Sequence, residues 1–117
     1  MEGALLVGIG GAAGAALRYL VGWQFATQRY PVPTFGVNVL GSALFGLLLA
    51  IGAGDRAVLL VGVGFCGALT TYSTFSVDTV RLWEESRLWA VGYAVGTLTA
   101  CLLAVGGAYV LVSLVIL

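Results

Sequence analysis

The sequence predicts an all-α membrane protein with four transmembrane helices, and three observations carry that reading. Of 117 residues, 61% are hydrophobic and only 9% are charged, against roughly a quarter charged in ordinary soluble domains. Mean hydropathy is +1.08. The charges cut the chain into uncharged runs at 3–17, 31–54, 57–77 and 88–117, and each of the last three reaches the ~20 residues that cross a bilayer. The first reaches that length by continuing past the single Arg18. The expected helices are about 3–25, 33–53, 57–82 and 88–115, one transmembrane domain over 1–117. They leave only short connections, so a soluble enzyme domain does not fit.

The first helix is thin, because Gly3, Gly8, Gly10, Gly11 and Gly14 are interspersed with alanines, and small residues let backbones approach closely in lipid. Its opening MEGALLVGIGG has no basic n-region, which predicts a retained helix and not a cleaved signal peptide. Pro31 and Pro33 open the second helix, since proline is tolerated in a first turn and restricts the residue before it. Asn38 is the one strongly polar residue of this helix. Asp55 and Arg56 turn the chain into the third segment. There the apolar stretch 57–69 gives way to TTYSTFS at 70–76, a polar run in the middle of a span. The corner between the third and fourth helices carries Arg81, Glu84, Glu85 and Arg87 beside Trp83 and Trp89, a natural interfacial belt. The fourth run, 30 residues without a charge, exceeds the bilayer and must tilt, bend or protrude.

Charge and cysteine usage exclude several function classes. Five Arg balance five acidic residues, Lys and His are absent, and Cys66 and Cys101 lie in apolar runs. No basic patch for nucleic acid, disulfide framework or zinc site of several Cys and His ligands can be assembled. Four spans put both termini on one side, so Arg56 is opposed by Arg29, Arg81 and Arg87. The positive-inside rule then places the connections after the first and third helices in the cytoplasm. A bias of three to one is weak, which is compatible with insertion in both orientations and with an antiparallel dimer.

The candidate functional residues are those a membrane interior would otherwise reject. Thr70, Thr71, Ser73, Thr74 and Ser76 either bond back to helix carbonyls as packing residues or mark a break in the third helix. Gly62, Gly64 and Gly67 precede them, and glycine and β-branched threonine are both poor helix formers, so the break is expected here. Carbonyls freed by a break are hard oxygen ligands for a small cation. Tyr72 and Phe75, three apart, share a helix face. They are either core or a pair of ring edges whose partial positive charge suits an anion. Asn38 offers either an interhelical hydrogen bond or uncharged donors to a lining. Arg18 either snorkels to the interface or draws anions into a vestibule.

GGAAGAALRY at 10–19, PTFGVNVLGSALFG at 33–46 and above all GFCGALTTYSTFS at 64–76 resemble the Fluc fluoride channels, also called the CrcB family, over all four helices. The resemblance implies a dual-topology antiparallel dimer with two fluoride pores and one structural sodium ion at its centre. It assigns the sodium to backbone carbonyls of Gly67 and Thr70, and the fluoride pathway to Asn38, Tyr72, Ser73, Thr74 and Phe75. Tyr93, Thr97 and Cys101, at i, i+4 and i+8, correspond to the polar stripe of the fourth helix. Arg18 matches the vestibule arginine, and Asp78 stands where the family usually carries Glu. Tyr72 departs from the facing phenylalanine pair, adding a hydroxyl at the ring's rim. The implied partners are fluoride, sodium, membrane lipid and either a second copy or a paired homologous subunit, in a prokaryotic cell (plasma) membrane.

Fluoride holds its water strongly, so a pore must replace hydration with several donors while binding weakly enough to release the ion. Neutral amide, hydroxyl and ring-edge groups do that. A small multidrug-type proton antiporter shares the four-helix plan but needs an acidic residue deep in a helix. Here Glu2 is terminal, Asp55 sits in a turn, and Asp78 with Glu84 and Glu85 lies towards one membrane edge. A purely structural subunit is the third alternative, and it predicts no change in fluoride resistance when Asn38 or Phe75 is replaced. No hydrolytic or redox constellation is present in the sequence, so no enzymatic activity is expected.

Overall fold

The structure is a computed structural model that describes residues 2–24 and 30–116. The expected first-helix end at residue 25 and Arg29 of the charge count lie outside the described residues. Helix α1 is Glu2–Gln24 and α2 is Val32–Ala50. A continuous helical stretch over 55–69, here α3, is wound as a π-helix at Val58–Cys66 and as α-helix at Asp55–Ala57 and Gly67–Leu69. Helix α4 is Tyr72–Glu85 and α5 is Arg87–Ile116. By length and composition α1, α2, the combined stretch Asp55–Glu85 and α5 can each cross a membrane. The protein is a multi-pass helical membrane protein, and no strand occurs among the described residues.

Local chemistry explains where these helices stop. Helix α2 ends at Ala50, short of the expected 53. Gly52 takes a left-handed φ of 65° and closes the helix with bonds from Gly52 N–H to Leu49 O (3.2 Å) and from Ala53 N–H to Leu48 O (3.4 Å). That is the glycine-dependent arrangement that satisfies the last carbonyls of a helix. Between α3 and α4, Thr70 (φ −76°, ψ 156°) and Thr71 (φ −147°, ψ 123°) are extended. The hydroxyl of Thr71 then accepts the Thr74 N–H at 3.1 Å, an N-cap that starts α4. Ser86, also extended, accepts the Trp89 N–H at 3.4 Å and opens α5 the same way. The π-winding has no counterpart in the sequence signals: VLLVGVGFC carries nothing that separates it from ordinary α-helix.

The two extended residues change which neighbour the chain packs against. Helix α3 lies along α1 and touches α2, whereas α4 lies along α5 and α2 packs closely on α5. Close approach depends on absent side chains. A methyl on Gly10 would fall on the Leu60 carbonyl oxygen, one on Gly14 on the Phe65 carbonyl oxygen, and one on Gly46 on the Val105 carbonyl oxygen. Gly10 and Gly14, one turn apart, thus let α1 rest directly on the backbone of α3, the small-xxx-small packing of membrane helices. The opposite faces carry large apolar side chains, including Leu5, Ile9, Leu98, Leu102, Leu103 and Val110, all exposed.

Substituting Gly14→Ala is expected to lower stability by about 1–3 kcal/mol, because a backbone carbonyl cannot rotate away from the added methyl. Gly8→Ala meets open space and is expected to be neutral or mildly stabilising. Thermal melting of the detergent-solubilised variants checks the contrast.

Candidate functional site

The site is built around the extended pair Thr70–Thr71. A helix continued through this point would bond Thr71 N–H to Gly67 O and Thr74 N–H to Thr70 O. Instead Thr71 N–H donates to Asn38 Oδ1 at 2.7 Å, and Thr74 N–H is taken by the Thr71 hydroxyl. Asn38 Nδ2 donates in turn to Thr71 O at 3.1 Å. The side-chain amide of α2 therefore pairs with the backbone of Thr71 as a neighbouring strand would, and both residues are buried. Asn38 is an interhelical bonding residue; one amide hydrogen is left to face the adjoining groove. Thr70 holds the end of α3 by donating from its hydroxyl to Cys66 O at 2.9 Å.

Thr71 stands between two grooves, and the expected site residues divide across them. The larger, about 570 Å³, lies between α2, the extended pair and α5, and is lined by Asn38, Tyr72, Phe75 and Thr97 among others. Among the described residues no charged one lines it. The second, about 470 Å³, lies on the α1 side and includes Arg18, Thr34 and Thr74. Arg18 reaches the break, with Nη1 3.4 Å from Thr70 O. Ser73 is exposed and hydrogen-bonded to the Thr71 hydroxyl at 3.3 Å. Tyr72 is 81% exposed, so its hydroxyl is free to meet whatever borders that face.

Aromatic rings form one wall of the larger groove. Tyr72 and Phe75 have centroids 6.2 Å apart, and Phe75 and Tyr93 5.3 Å. Beyond Phe75, the Tyr93 hydroxyl is buried, and so is that of Thr97 one turn further along α5. Neither has a hydrogen-bond partner among the described residues. Unpaired buried hydroxyls are costly; that of Thr97 belongs to a residue lining the groove, and Tyr93 packs on Phe75 beside it. Asp78 is buried. Its Oδ2 accepts from the Thr34 hydroxyl at 2.8 Å and its Oδ1 from Arg81 at 3.0 Å.

Two carbonyls fit the expected cation ligands in chemistry. At the extended pair Gly67 O and Thr70 O both lose their helical N–H partners, although Thr70 O accepts from Arg18 Nη1 instead; Gly67 is exposed, and both residues border a third groove of about 320 Å³. No cluster of three or more His, Cys, Asp or Glu occurs among the described residues. Sequence reasoning missed the roles of Thr34 and Thr71. A buried carboxylate needs a donor, so a hydroxyl in the first turn of α2 could have been sought for Asp78. Nothing local in the sequence marks Thr71 as the partner of Asn38.

Four apolar spans around a largely apolar groove that carries an amide, hydroxyls and aromatic rings define a multi-pass membrane protein of the channel type. The chain belongs to the CrcB family: the family model described as CrcB-like protein, Camphor Resistance (CrcB), matches residues 5–109. It is 55% identical over 103 residues to the fluoride-specific ion channel FluC 2 of Natronomonas pharaonis, covering 87% of each chain. A fluoride-specific ion channel FluC 2 of Haloarcula marismortui is 45% identical over 116 residues, 98% of each chain. One from Rhodococcus jostii is 47% identical over 102 residues, 86% of this chain and 90% of that one.

Asn38→Leu keeps the side-chain volume and removes both bonds to Thr71. With a buried N–H and C=O left unpaired at ~1–3 kcal/mol each, the expected loss is about 2–6 kcal/mol. A lowered melting temperature and faster proteolysis at the break would register it.

Proposed function

We propose that the chain is a fluoride-selective passive channel that exports cytoplasmic fluoride across a prokaryotic cell membrane. The single observation that carries this is the uncharged groove lined by Asn38, Thr97 and the rings of Tyr72 and Phe75, in a chain so close to channels named for fluoride. Neutral donors replace the hydration of a small anion without trapping it, as a fixed positive charge would. The ion passes the edges of Tyr72 and Phe75 and then the hydroxyls of Thr97 and Tyr93. Ser73 and Thr74 supply further hydroxyls at the start of α4, and Arg18 draws anions towards the second groove. Fluoride that entered as its neutral acid would leave as the ion, driven by the membrane potential. A proton-coupled antiporter finds no support in the relatives, and no catalytic activity forms part of this reading.

In this proposal the break at Thr70–Thr71 lies within the bilayer, and two copies assemble antiparallel. The exposed apolar faces and the weak Arg bias support such an assembly. A structural sodium ion would be held by the carbonyls of Gly67 and Thr70, which the break deprives of their amide partners. Two oxygens from one chain are too few for a closed shell, and a second copy doubles them. The cation would neutralise carbonyl partial charges gathered at the seam.

Liposomes containing only this purified chain are expected to release fluoride rapidly and retain chloride. Phe75→Ile, which removes a ring edge, is expected to cut fluoride efflux at least tenfold while gel filtration of the protein stays unchanged. Equal efflux of chloride, or full fluoride efflux from the Phe75 variant, would count against the proposed path.

A further inference from the structure

On the α5 side the larger groove is lined by Cys101, Leu98, Thr97, Val95 and Ala94, the last adjoining Tyr93 in the chain. In that direction Phe75 stands against Tyr93, and Asp78, about one helical turn beyond Phe75 on α4, is held to Thr34 of α2. An anion moving this way therefore approaches a carboxylate with only 9% of its side chain exposed. Like charges a few ångströms apart in surroundings of low dielectric repel strongly, so an uncompensated Asp78 would close this end of the path to any anion. Thr34 cannot cancel the charge, since its hydroxyl brings only a dipole. Tyr93, facing it from α5, is neutral unless ionised and would then add to the repulsion. The remaining group is Arg81 on α4, whose Nη2 donates to Asp78 Oδ1 at 3.0 Å while 62% of its side chain stays exposed.

We infer that Arg81 is a positioning residue of the anion path, acting through Asp78: its guanidinium cancels the buried carboxylate and so sets the energy of an anion at the Tyr93 end. The inference rests on the channel reading above. It separates the two charges by task. Asp78 ties α4 to the first turn of α2 through Thr34, and Arg81 makes that tie tolerable beside an anion path. Only the Arg81 end of the pair is exposed; without it the buried carboxylate keeps an uncompensated charge, which costs folding stability as well as conduction, so efflux is compared only between variants that pass the folding control.

The test is a double-substitution cycle read by fluoride efflux from liposomes, with gel filtration as the folding control. Arg81→Gln is expected to slow efflux by ~10–100-fold, the effect of one uncompensated charge near the path. Arg81→Lys, which keeps the charge, is expected to remain within about fivefold of wild type, a tolerance small on the same scale. In an Asp78→Asn background, Arg81→Gln is expected to change efflux by less than about twofold, because no carboxylate is left to repel. An equal cost of Arg81→Gln in both backgrounds, or none in the wild type, would overturn the inference while leaving the channel reading intact. Should Arg81→Gln alone fail to fold, Asp78→Asn is compared directly with Asp78→Asn/Arg81→Gln, and unequal efflux overturns it. Silence from the folded wild-type protein would overturn the channel reading and this inference together.

Discussion

The rest of the structure depends on one pairing, the side-chain amide of Asn38 with the backbone of Thr71. A helix interrupted in apolar surroundings strands an N–H and a C=O, and no water is at hand to satisfy them. Asn38 supplies both missing partners from a neighbouring helix, at 2.7 and 3.1 Å. With Thr71 held extended, its hydroxyl is placed to cap α4. The two extended residues then carry the chain from its packing on α1 to its packing on α5. Remove the amide and the interruption, the cap and the groove beside them lose a common support.

Close packing on one side leaves open space on the other. Glycines at 10 and 14 seat α1 on the carbonyls of Leu60 and Phe65, and Gly46 seats α2 on that of Val105. Helix α5 is held by α2 and α4, and the gap between it and the extended pair is the groove lined by Asn38, Tyr72, Phe75 and Thr97. Polarity is sorted by this arrangement. The guanidinium of Arg18 is confined to the α1 side, whereas the α5 side sets the amide of Asn38, a few hydroxyls and the rings of Tyr72 and Phe75 among aliphatic side chains such as Val95 and Leu98. A charged donor at the narrowest part of a path would hold an anion; neutral ones let it go.

Asp78 illustrates how a buried charge acquires a physical role from its neighbours. The carboxylate is buried, tied to α2 through Thr34 and neutralised by Arg81. It joins α2 to α4, two helices that share few other contacts. Its distance from Arg81 in the sequence is three residues, a helical neighbour. Its distance from Thr34 is 44 residues, so no local pattern discloses that bond.

The sequence by itself determined the class of protein, four apolar spans, and the places where the chain turns. These follow from hydropathy and local propensity, because each span must satisfy its own backbone and Gly, Pro and the charges punctuate the intervals. The motif at 64–76 made the functional family legible as well. Only tertiary structure decided what each polar residue does. It made Asn38, on the wall of the larger groove, the partner of Thr71, buried Asp78 beside Thr34, divided Arg18 and Thr74 from Phe75 and Thr97, and wound Val58–Cys66 as a π-helix. Those outcomes depend on bonds and close contacts between residues tens of positions apart, where the energy of a buried polar group is set by whichever neighbour the fold brings to it.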